Sequence, residues 1–169
     1  MNLSPLLEAP LAIQIHVASV LPAAVLGPVL FLRRKGTSSH RLLGKIWLGL
    51  MVVAALSSFF IHSINLFYGF SPIHLVSIYV LVGSWLAIKA AREHRISAHK
   101  RQVSGLYAGG ILGAGAFTLL PGRIMHEVFF RYDAGWPDMQ RLALFVAVMI
   151  GITAMLFVGV RLSSSLERI

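Results

Sequence analysis

The stretch that decides the fold is residues 99–127, HKRQVSGLYAGGILGAGAFTLLPGRIMHE. Its middle, residues 103–120, is uncharged and apolar, and a helix of roughly 20 such residues crosses the ~30 Å hydrocarbon core of a bilayer. Glycine recurs every four residues, at Gly105, Gly109 and Gly113, so one side of this helix has almost no side chains. Neighbouring backbones can approach such a side closely. The stretch therefore predicts a central transmembrane helix.

The end of the stretch carries the polar groups. Pro121 and Gly122 should break the helix. If helix resumes after them, Arg123, His126 and Glu127 fall at i, i+3 and i+4 on one face, so chemistry is expected near this end. The simpler alternative is an ion pair on a helix surface at the membrane interface. The helix signature of zinc proteases is absent, because no second histidine follows four residues after His126.

Composition places the whole chain in the membrane. Hydrophobic residues make up 57% of the 169 residues and charged residues only 12%, whereas about a quarter of residues are charged in soluble proteins. The net charge of +9 does not indicate a nucleic-acid partner, because the basic residues lie in short loops between apolar runs. The expected partner is the lipid bilayer. Since the chain has no cysteine, any metal site must use histidine, carboxylate or backbone ligands.

The apolar runs predict an all-α, polytopic bundle that forms a single integral membrane domain over residues 1–169. Pro22 and Pro28 lie inside the first run and should bend it. Such a bend is tolerated in a membrane only where neighbouring groups satisfy the freed carbonyls. The five predicted transmembrane helices span about residues 11–32, 46–67, 73–91, 103–121 and 142–160.

The basic residues predict the orientation of the bundle. The loops at 33–45 and 89–101 and the C-terminal tail hold 12 of the 15 Lys and Arg residues, and the other side holds three. The side with 12 should be cytoplasmic, which places the N-terminus outside and the C-terminus inside. We therefore expect a multi-pass protein of the bacterial inner membrane.

The histidines fall into two groups by side. His16, His62, His74 and His126 belong to the outer side, while His40, His94 and His99 lie in or beside the basic loops. Ionisable residues at membrane depth are rare and usually face the bundle interior, so the outer group supplies the candidate site. Helical phase agrees, because the helix faces of these histidines carry small or polar residues. These companions are Ser19, Ala23 and Gly27 for His16, Ala55 and Ser58 for His62, and Ser77 and Ser84 for His74.

Converging imidazoles predict a cofactor. Neutral imidazole nitrogen is a good ligand for Zn, Cu and Fe, so His16, His62 and His74 are predicted to bind haem b or a transition-metal ion. Arg123 and His126 are predicted to contribute to the same site, where Arg123 can neutralise a haem propionate or another anion. The alternative is that each histidine is only an interfacial hydrogen-bonding residue. His40 and the pair His99-Lys100 are then basic loop residues near anionic lipid headgroups.

The chain resembles a family of small bacterial membrane proteins catalogued as a domain of unknown function. The resemblance covers most of residues 16–123 and implies a polytopic helical membrane protein, without supplying a reaction. The residues that carry it are His16, His40-Arg41-x-x-Gly44-Lys45, Ser71-Pro72-Ile73-His74, His99-Lys100 and Phe117-Thr118-Leu119-Leu120-Pro121-Gly122-Arg123.

A looser similarity is to di-haem membrane cytochromes of the b type, whose helices carry paired histidines. By that comparison His62 would pair with His126 and His40 with His99. The 22 residues from His40 to His62 span about 33 Å of helix, which would put both pairs at or beyond the membrane surfaces. A single outer site is therefore favoured over two stacked haems.

Two function classes follow from the sequence. The first is a membrane-embedded binding or redox protein with one histidine-rich haem or metal site near the periplasmic face. The second is a small non-enzymatic membrane subunit, within a larger complex or a homo-oligomer, or a small-solute transporter whose histidines are interfacial or handle protons. The sequence does not decide whether the protein is an enzyme, and it identifies no catalytic residue.

The predicted topology can be tested with periplasmic reporter fusions. Reporters fused after Phe70 and Asp133 should be active, and those fused after Gly36 and Ser97 inactive, because the Lys and Arg asymmetry is 12 to three. The opposite pattern of activity would reverse the side assigned to each group of histidines.

Overall fold

A computed structural model describes residues 3–61, 72–119 and 123–129, and every regular element in these ranges is helical. The predicted all-α class is therefore confirmed for the part of the chain that is described. The elements are α1 (Ser4–Leu7), α2 (Leu11–Leu32), α3 (Ser38–Ser58), α4 (Pro72–Arg92), α5 (Ile96–Gly105), a π-helical segment (Leu106–Gly113), α6 (Ala114–Thr118) and α7 (Ile124–Phe129).

Three of the described helices are long and apolar enough to cross a membrane: Leu11–Leu32, Ser38–Ser58 and Ile73–Arg92. The first and third coincide with the predicted spans at 11–32 and 73–91. The fifth predicted span, at 142–160, lies outside the described residues, and so do the end of the second and the turn that follows it. The count of five spans and the orientation stay predictions.

The second membrane helix differs from its predicted bounds. α3 begins at Ser38 rather than near residue 46, because the side chain of Thr37 caps it by accepting a hydrogen bond from the His40 amide at 3.2 Å. It ends at Ser58, where the hydroxyls of Ser57 and Ser58 donate to the carbonyls three residues back, at 2.9 and 2.7 Å. Such local bonds compete with continuation of the helical ladder. The basic residues before residue 46 therefore form the first turns of a membrane helix.

The predicted central helix is formed by α5, the π-helical segment and α6 in succession. The π-helical segment contributes Leu106, Tyr107 and Ile111 to the buried core, which agrees with a central position. Its glycines allow close packing at two places. A Cβ atom at Gly109 would lie 3.2 Å from the Tyr79 ring, and one at Gly110 would lie 3.0 Å from the Met51 side chain. At Gly113 a Cβ atom would meet only a carbonyl of its own helix, so the expected close approach is absent there among the described residues.

The long helices pack as consecutive neighbours, α2 on α3, α3 on α4 and α4 on α5. The π-helical segment also contacts both α2 and α4, which brings α2 back against the centre of the bundle. Small residues of α2 and α4, such as Ala23 and Ala87, are fully buried at these contacts and keep the helices close. The larger core residues include Leu30, Trp47, Leu48, Met51, Val80, Leu106, Tyr107 and Ile111.

Two aromatic side chains bind backbone carbonyls of α2 beside Pro28. Pro28 has no N–H, so the carbonyl of Ala24, four residues earlier, has no donor in the helical ladder. The Tyr107 hydroxyl donates to this carbonyl at 3.1 Å, and the indole N–H of Trp47 donates to the adjacent Ala23 carbonyl at 2.9 Å. The expectation that neighbouring polar groups satisfy freed carbonyls in this helix is confirmed at Pro28.

Gly27 tests this packing, because a Cβ atom there would overlap the Tyr107 ring and lie 3.4 Å from the Trp47 indole nitrogen. Gly27→Ala should destabilise the bundle by about 1–3 kcal/mol through overpacking, measured as a lower melting temperature in detergent. Gly49→Ala is the matched control in α3, since a Cβ atom at Gly49 meets nothing within 4 Å. Equal melting temperatures for the two variants would contradict the close approach of α2 to the π-helical segment.

Candidate functional site

The predicted site residue His16 joins α2 to α3. Its Nδ1 lies 2.8 Å from the carbonyl oxygen of Ala54, and the Ser57 hydroxyl lies 3.5 Å from the same nitrogen. Because a carbonyl oxygen only accepts hydrogen bonds, Nδ1 carries the proton that is donated to Ala54. In the neutral ring, Nε2 is then the nitrogen with the lone pair, which is the form that binds a metal ion or a proton.

His74 is buried on the other side of α3, with 4% of its surface exposed. Its ring stacks on Phe59 with 5.6 Å between centroids and an angle of 3° between planes. One turn further along α4, the Ser77 hydroxyl forms a hydrogen bond with the Ser58 hydroxyl, and its oxygen lies 2.8 Å from the Ile73 carbonyl oxygen. Small polar groups therefore connect the end of α3 to both of its neighbours.

The predicted polar faces of α2 and α4 are turned into the bundle. Ser19, Ala23 and Gly27 of α2 are buried, and Ser77 and Ser84 of α4 are buried on the same face as His74. The Ser84 hydroxyl makes no hydrogen bond within the part of the chain that is described. Helical phase thus identified the buried faces correctly.

Arg123 and His126 do not form the predicted helix-face pair. Arg123 precedes α7, and its guanidinium carbon lies 4.8 Å from the centroid of the Phe117 ring. His126 is 7% exposed, and its Nδ1 donates to the Leu119 carbonyl at 2.9 Å, which ties α7 to the end of α6. Arg123 and Glu127 form no salt bridge with each other, so this ion-pair alternative is not formed either.

The histidines of the outer group therefore lie around the ends of several helices without forming a metal cluster in the described residues. His16 of α2 contacts Ala54, and His74 of α4 contacts Phe59, so both histidines lie near the C-terminal end of α3. The third predicted ligand, His62, lies outside the described residues. Within the described ranges, no group of three or more His, Asp or Glu side chains is placed to hold a metal ion.

A cavity of about 80 Å³ lies instead beside the basic loops. This volume accommodates several water molecules or one small ion, and it is well below the roughly 300–1,000 Å³ of pockets that hold larger ligands or cofactors. Its apolar wall is formed by Gly27, Leu30, Phe31, Gly44, Trp47 and Val103, and its polar side chains are Lys35, His40, His99, Lys100 and Ser104.

The basic side chains come to the cavity from three elements. Lys35 follows α2 and donates to the Phe31 carbonyl at 2.8 Å, which orients its ammonium group back toward the end of that helix. His40 lies in the first turn of α3, and His99 and Lys100 lie in the first turns of α5. Helix N-termini carry partial positive charge from unpaired N–H groups. No carboxylate lines the cavity among the described residues, so the charged side chains of its lining are basic.

The two histidines of the cavity have different hydrogen-bond environments. His99 donates from Nδ1 to the Ala87 carbonyl of α4 at 2.9 Å, which leaves Nε2 as the acceptor of the neutral ring. Nδ1 of His40 is fully buried and makes no hydrogen bond within the described ranges. A buried polar atom without a partner costs about 1–3 kcal/mol. A ligand in the cavity can supply the missing partner.

The cavity lies beside the part of α2 that contains Pro28. Gly27, Leu30 and Phe31 lie just after the carbonyls that Trp47 and Tyr107 bind, and Trp47 itself lines the cavity. Phe31 packs edge-on against Tyr107, with 5.5 Å between ring centroids. The aromatic contacts beside Pro28 therefore adjoin one wall of the cavity.

Sequence reasoning did not select this site. It assigned His40 and His99-Lys100 to lipid headgroups, although it noted that the two histidines belong to the same side and can pair. The structure brings them to one cavity because α3 starts earlier than expected and carries His40 into the bundle. The signal available in the sequence was a polar residue, His40, with a glycine, Gly44, one helical turn after it.

Comparison with known proteins identifies the family. The sequence model of a family described as predicted membrane protein (DUF2306) matches residues 13–159. This match covers most of the chain, so the protein belongs to that family, as the sequence resemblance indicated. No curated protein and no solved structure matches the chain.

Proposed function

We propose that this member of the DUF2306 membrane-protein family is a membrane-embedded binding protein for a small anion, which it holds in the basic cavity. The observation that carries the proposal is the meeting of Lys35, Lys100, His40 and His99 around one small cavity with no carboxylate among its described lining residues. Lysine and histidine side chains that line one cavity can donate charge-assisted hydrogen bonds to an anion.

The proposal agrees with the small-solute alternative drawn from the sequence. The cavity is too small for a haem, and an imidazole beside two ammonium groups is a poor site for a cation. The apolar lining excludes bulk water and strengthens electrostatic attraction between the lysines and a bound anion. The Lys and Arg count predicts that the basic loops are cytoplasmic, and with this orientation we propose that the anion enters from the cytoplasmic side of the bacterial inner membrane.

Anion binding can be measured with detergent-purified protein. Titration with inorganic phosphate or sulfate at constant ionic strength should raise the melting temperature, because a ligand that binds only the folded state stabilises it. Lys35→Gln and Lys100→Gln should each weaken binding about 10- to 100-fold, since each removes a charged hydrogen-bond donor.

Lys45→Gln is the matched control for these variants. Lys45 is exposed on α3 and does not line the cavity, so its loss removes one positive charge from the same loop region without touching the site. The control should bind the anion as the wild type does. Equal weakening in all three variants would attribute binding to general surface charge, and no stabilisation by any anion would contradict the proposal.

The second candidate function is the cofactor site of the outer histidines. It is favoured by the burial of His74 and by the hydrogen bond from His16 Nδ1 to a backbone carbonyl. In a metal-binding histidine, the ring nitrogen that does not bind the metal usually donates its N–H in this way. In this candidate, His16, His62 and His74 bind haem b or a transition-metal ion, and Arg123 and His126 act as outer groups of the site.

An absorption spectrum and elemental analysis of the purified protein test the second candidate. A Soret band or a stoichiometric metal is expected in the wild type, and both should be lost in His16→Ala and His74→Ala. His94→Ala should keep the cofactor, because His94 lies in the basic loop at the other end of α4. If the wild type contains neither haem nor metal, the cofactor candidate fails. If it also binds no anion, a structural subunit of a larger complex or homo-oligomer becomes the better account.

A further inference from the structure

We infer that the anion of the basic cavity is a short-chain monocarboxylate, such as acetate or propionate. The inference rests on the proposed anion-binding function and names the class of anion that the cavity prefers. It depends on how polar and apolar lining residues are arranged along the helices. Inorganic phosphate and sulfate then occupy the same cavity more weakly.

The lining becomes apolar with distance from the helix ends. Lys35 lies just beyond the last turn of α2 and is exposed, and His40 lies in the first turn of α3. Gly27 and Trp47 lie deeper in the same two helices. Trp47 is roughly 10 Å of helix past His40 and is only 3% exposed. The cavity therefore has a basic mouth and an apolar inner end.

The inner wall formed by α2 and α3 offers a ligand no side-chain hydrogen-bond donor among the described lining residues. The indole N–H of Trp47 already donates to the Ala23 carbonyl at 2.9 Å. Gly27, Leu30 and Phe31 have no polar side-chain atom. Sulfate and phosphate carry oxygens on every side, so oxygens that face this wall would lose their hydration without gaining a partner. The wall therefore disfavours inorganic oxyanions.

A monocarboxylate matches this arrangement because its charge is confined to one end. The Lys35 ammonium group donates to the Phe31 carbonyl at 2.8 Å, and its other N–H groups can donate to a carboxylate. The Ser104 hydroxyl also lines the cavity and can donate to the second carboxylate oxygen. The alkyl group then packs against Trp47, where it leaves water without loss of a hydrogen bond.

The size of the cavity limits the length of the alkyl group. A volume of about 80 Å³ exceeds the ~30 Å³ of one liquid water molecule but holds no long hydrocarbon chain. Gly44 provides part of the space, because it lies one turn after His40 on the face of α3 that carries Trp47. A Cβ atom at Gly44 would meet no other atom within 4 Å. The missing side chain therefore leaves room for a short alkyl group.

The test is calorimetry on the detergent-purified full chain with formate, acetate, propionate and butyrate. Ionic strength is held constant at about pH 7.5, where carboxylic acids are ionised. From formate to propionate the affinity should rise about three- to fourfold per carbon, because each added methylene group is buried. Butyrate should lose this gain, since its chain is too long for the cavity. Sulfate should bind at least about tenfold more weakly than propionate.

Gly44→Ala connects the chain-length preference to the cavity. The added methyl group should weaken propionate binding about tenfold through overpacking, while formate binds as it does to the wild type. Gly49→Ala is the matched control, because a Cβ atom at Gly49 also meets nothing within 4 Å and Gly49 does not line the cavity. The same loss in both variants would overturn the inference. If Gly44→Ala fails to fold, the wild-type chain-length profile still decides it.

Propionamide separates the contribution of charge from that of the alkyl group. It has the size of propionate without the charge, so it should bind at least about tenfold more weakly. Equal binding of propionamide and propionate would overturn the inference. Affinities that do not depend on chain length, or sulfate binding as tight as propionate binding, would also overturn it while leaving anion binding intact. Failure of the carboxylates and the inorganic anions alike to bind would instead refute the proposed function.

Discussion

The hydrogen bond from the Tyr107 hydroxyl to the Ala24 carbonyl is the interaction on which the rest of the bundle depends. Pro28 makes that carbonyl an acceptor without a helical donor, and inside a membrane no water replaces the missing bond. Tyr107 can reach it because Gly27 has no side chain and because the π-helical segment turns the ring toward α2. Trp47 of α3 donates a hydrogen bond in the same way to the preceding carbonyl, that of Ala23. The carbonyls beside Pro28 are therefore bound from two sides, and the α2 residues that follow them form part of the apolar wall of the basic cavity.

Much of the architecture could be predicted from the sequence. The bounds of α2 and α4 follow from uninterrupted apolar runs, and the buried faces of both helices follow from the 3.6-residue period. The start of α3 could not be predicted, because His40 and Arg41 belong to a segment whose composition is typical of a loop. The Thr37 side chain caps a helix that starts there, and His40 in its first turn lines the cavity. The π-helical segment could not be predicted either, because its sequence is equally suited to an ordinary α-helix.

The candidate site, like the fold, could be predicted from the sequence only in part. Sequence reasoning placed His74 on a helix face turned into the bundle, and His74 is buried. It placed His126 just past the end of a span, and His126 is buried as well. It expected Arg123 to act with His126, but the Arg123 guanidinium lies over Phe117. It also treated the histidines of the basic loops as surface residues, because residue counts along a chain do not reveal that the first turns of α3 and α5 meet. Only tertiary packing brings His40, His99 and the two lysines to one cavity.

The most direct measurement of the central claim is magnetic-resonance recoupling between ³¹P and ¹⁵N in protein labelled at histidine and lysine nitrogens and equilibrated with phosphate. The account predicts contacts from phosphorus to Nε2 of His99 and to the ammonium groups of Lys35 and Lys100. It also predicts that Nδ1 of His99 keeps its hydrogen bond to the Ala87 carbonyl. Bound phosphate without contacts to these nitrogens, or a proton on Nε2 of His99 in the neutral ring, would contradict the account.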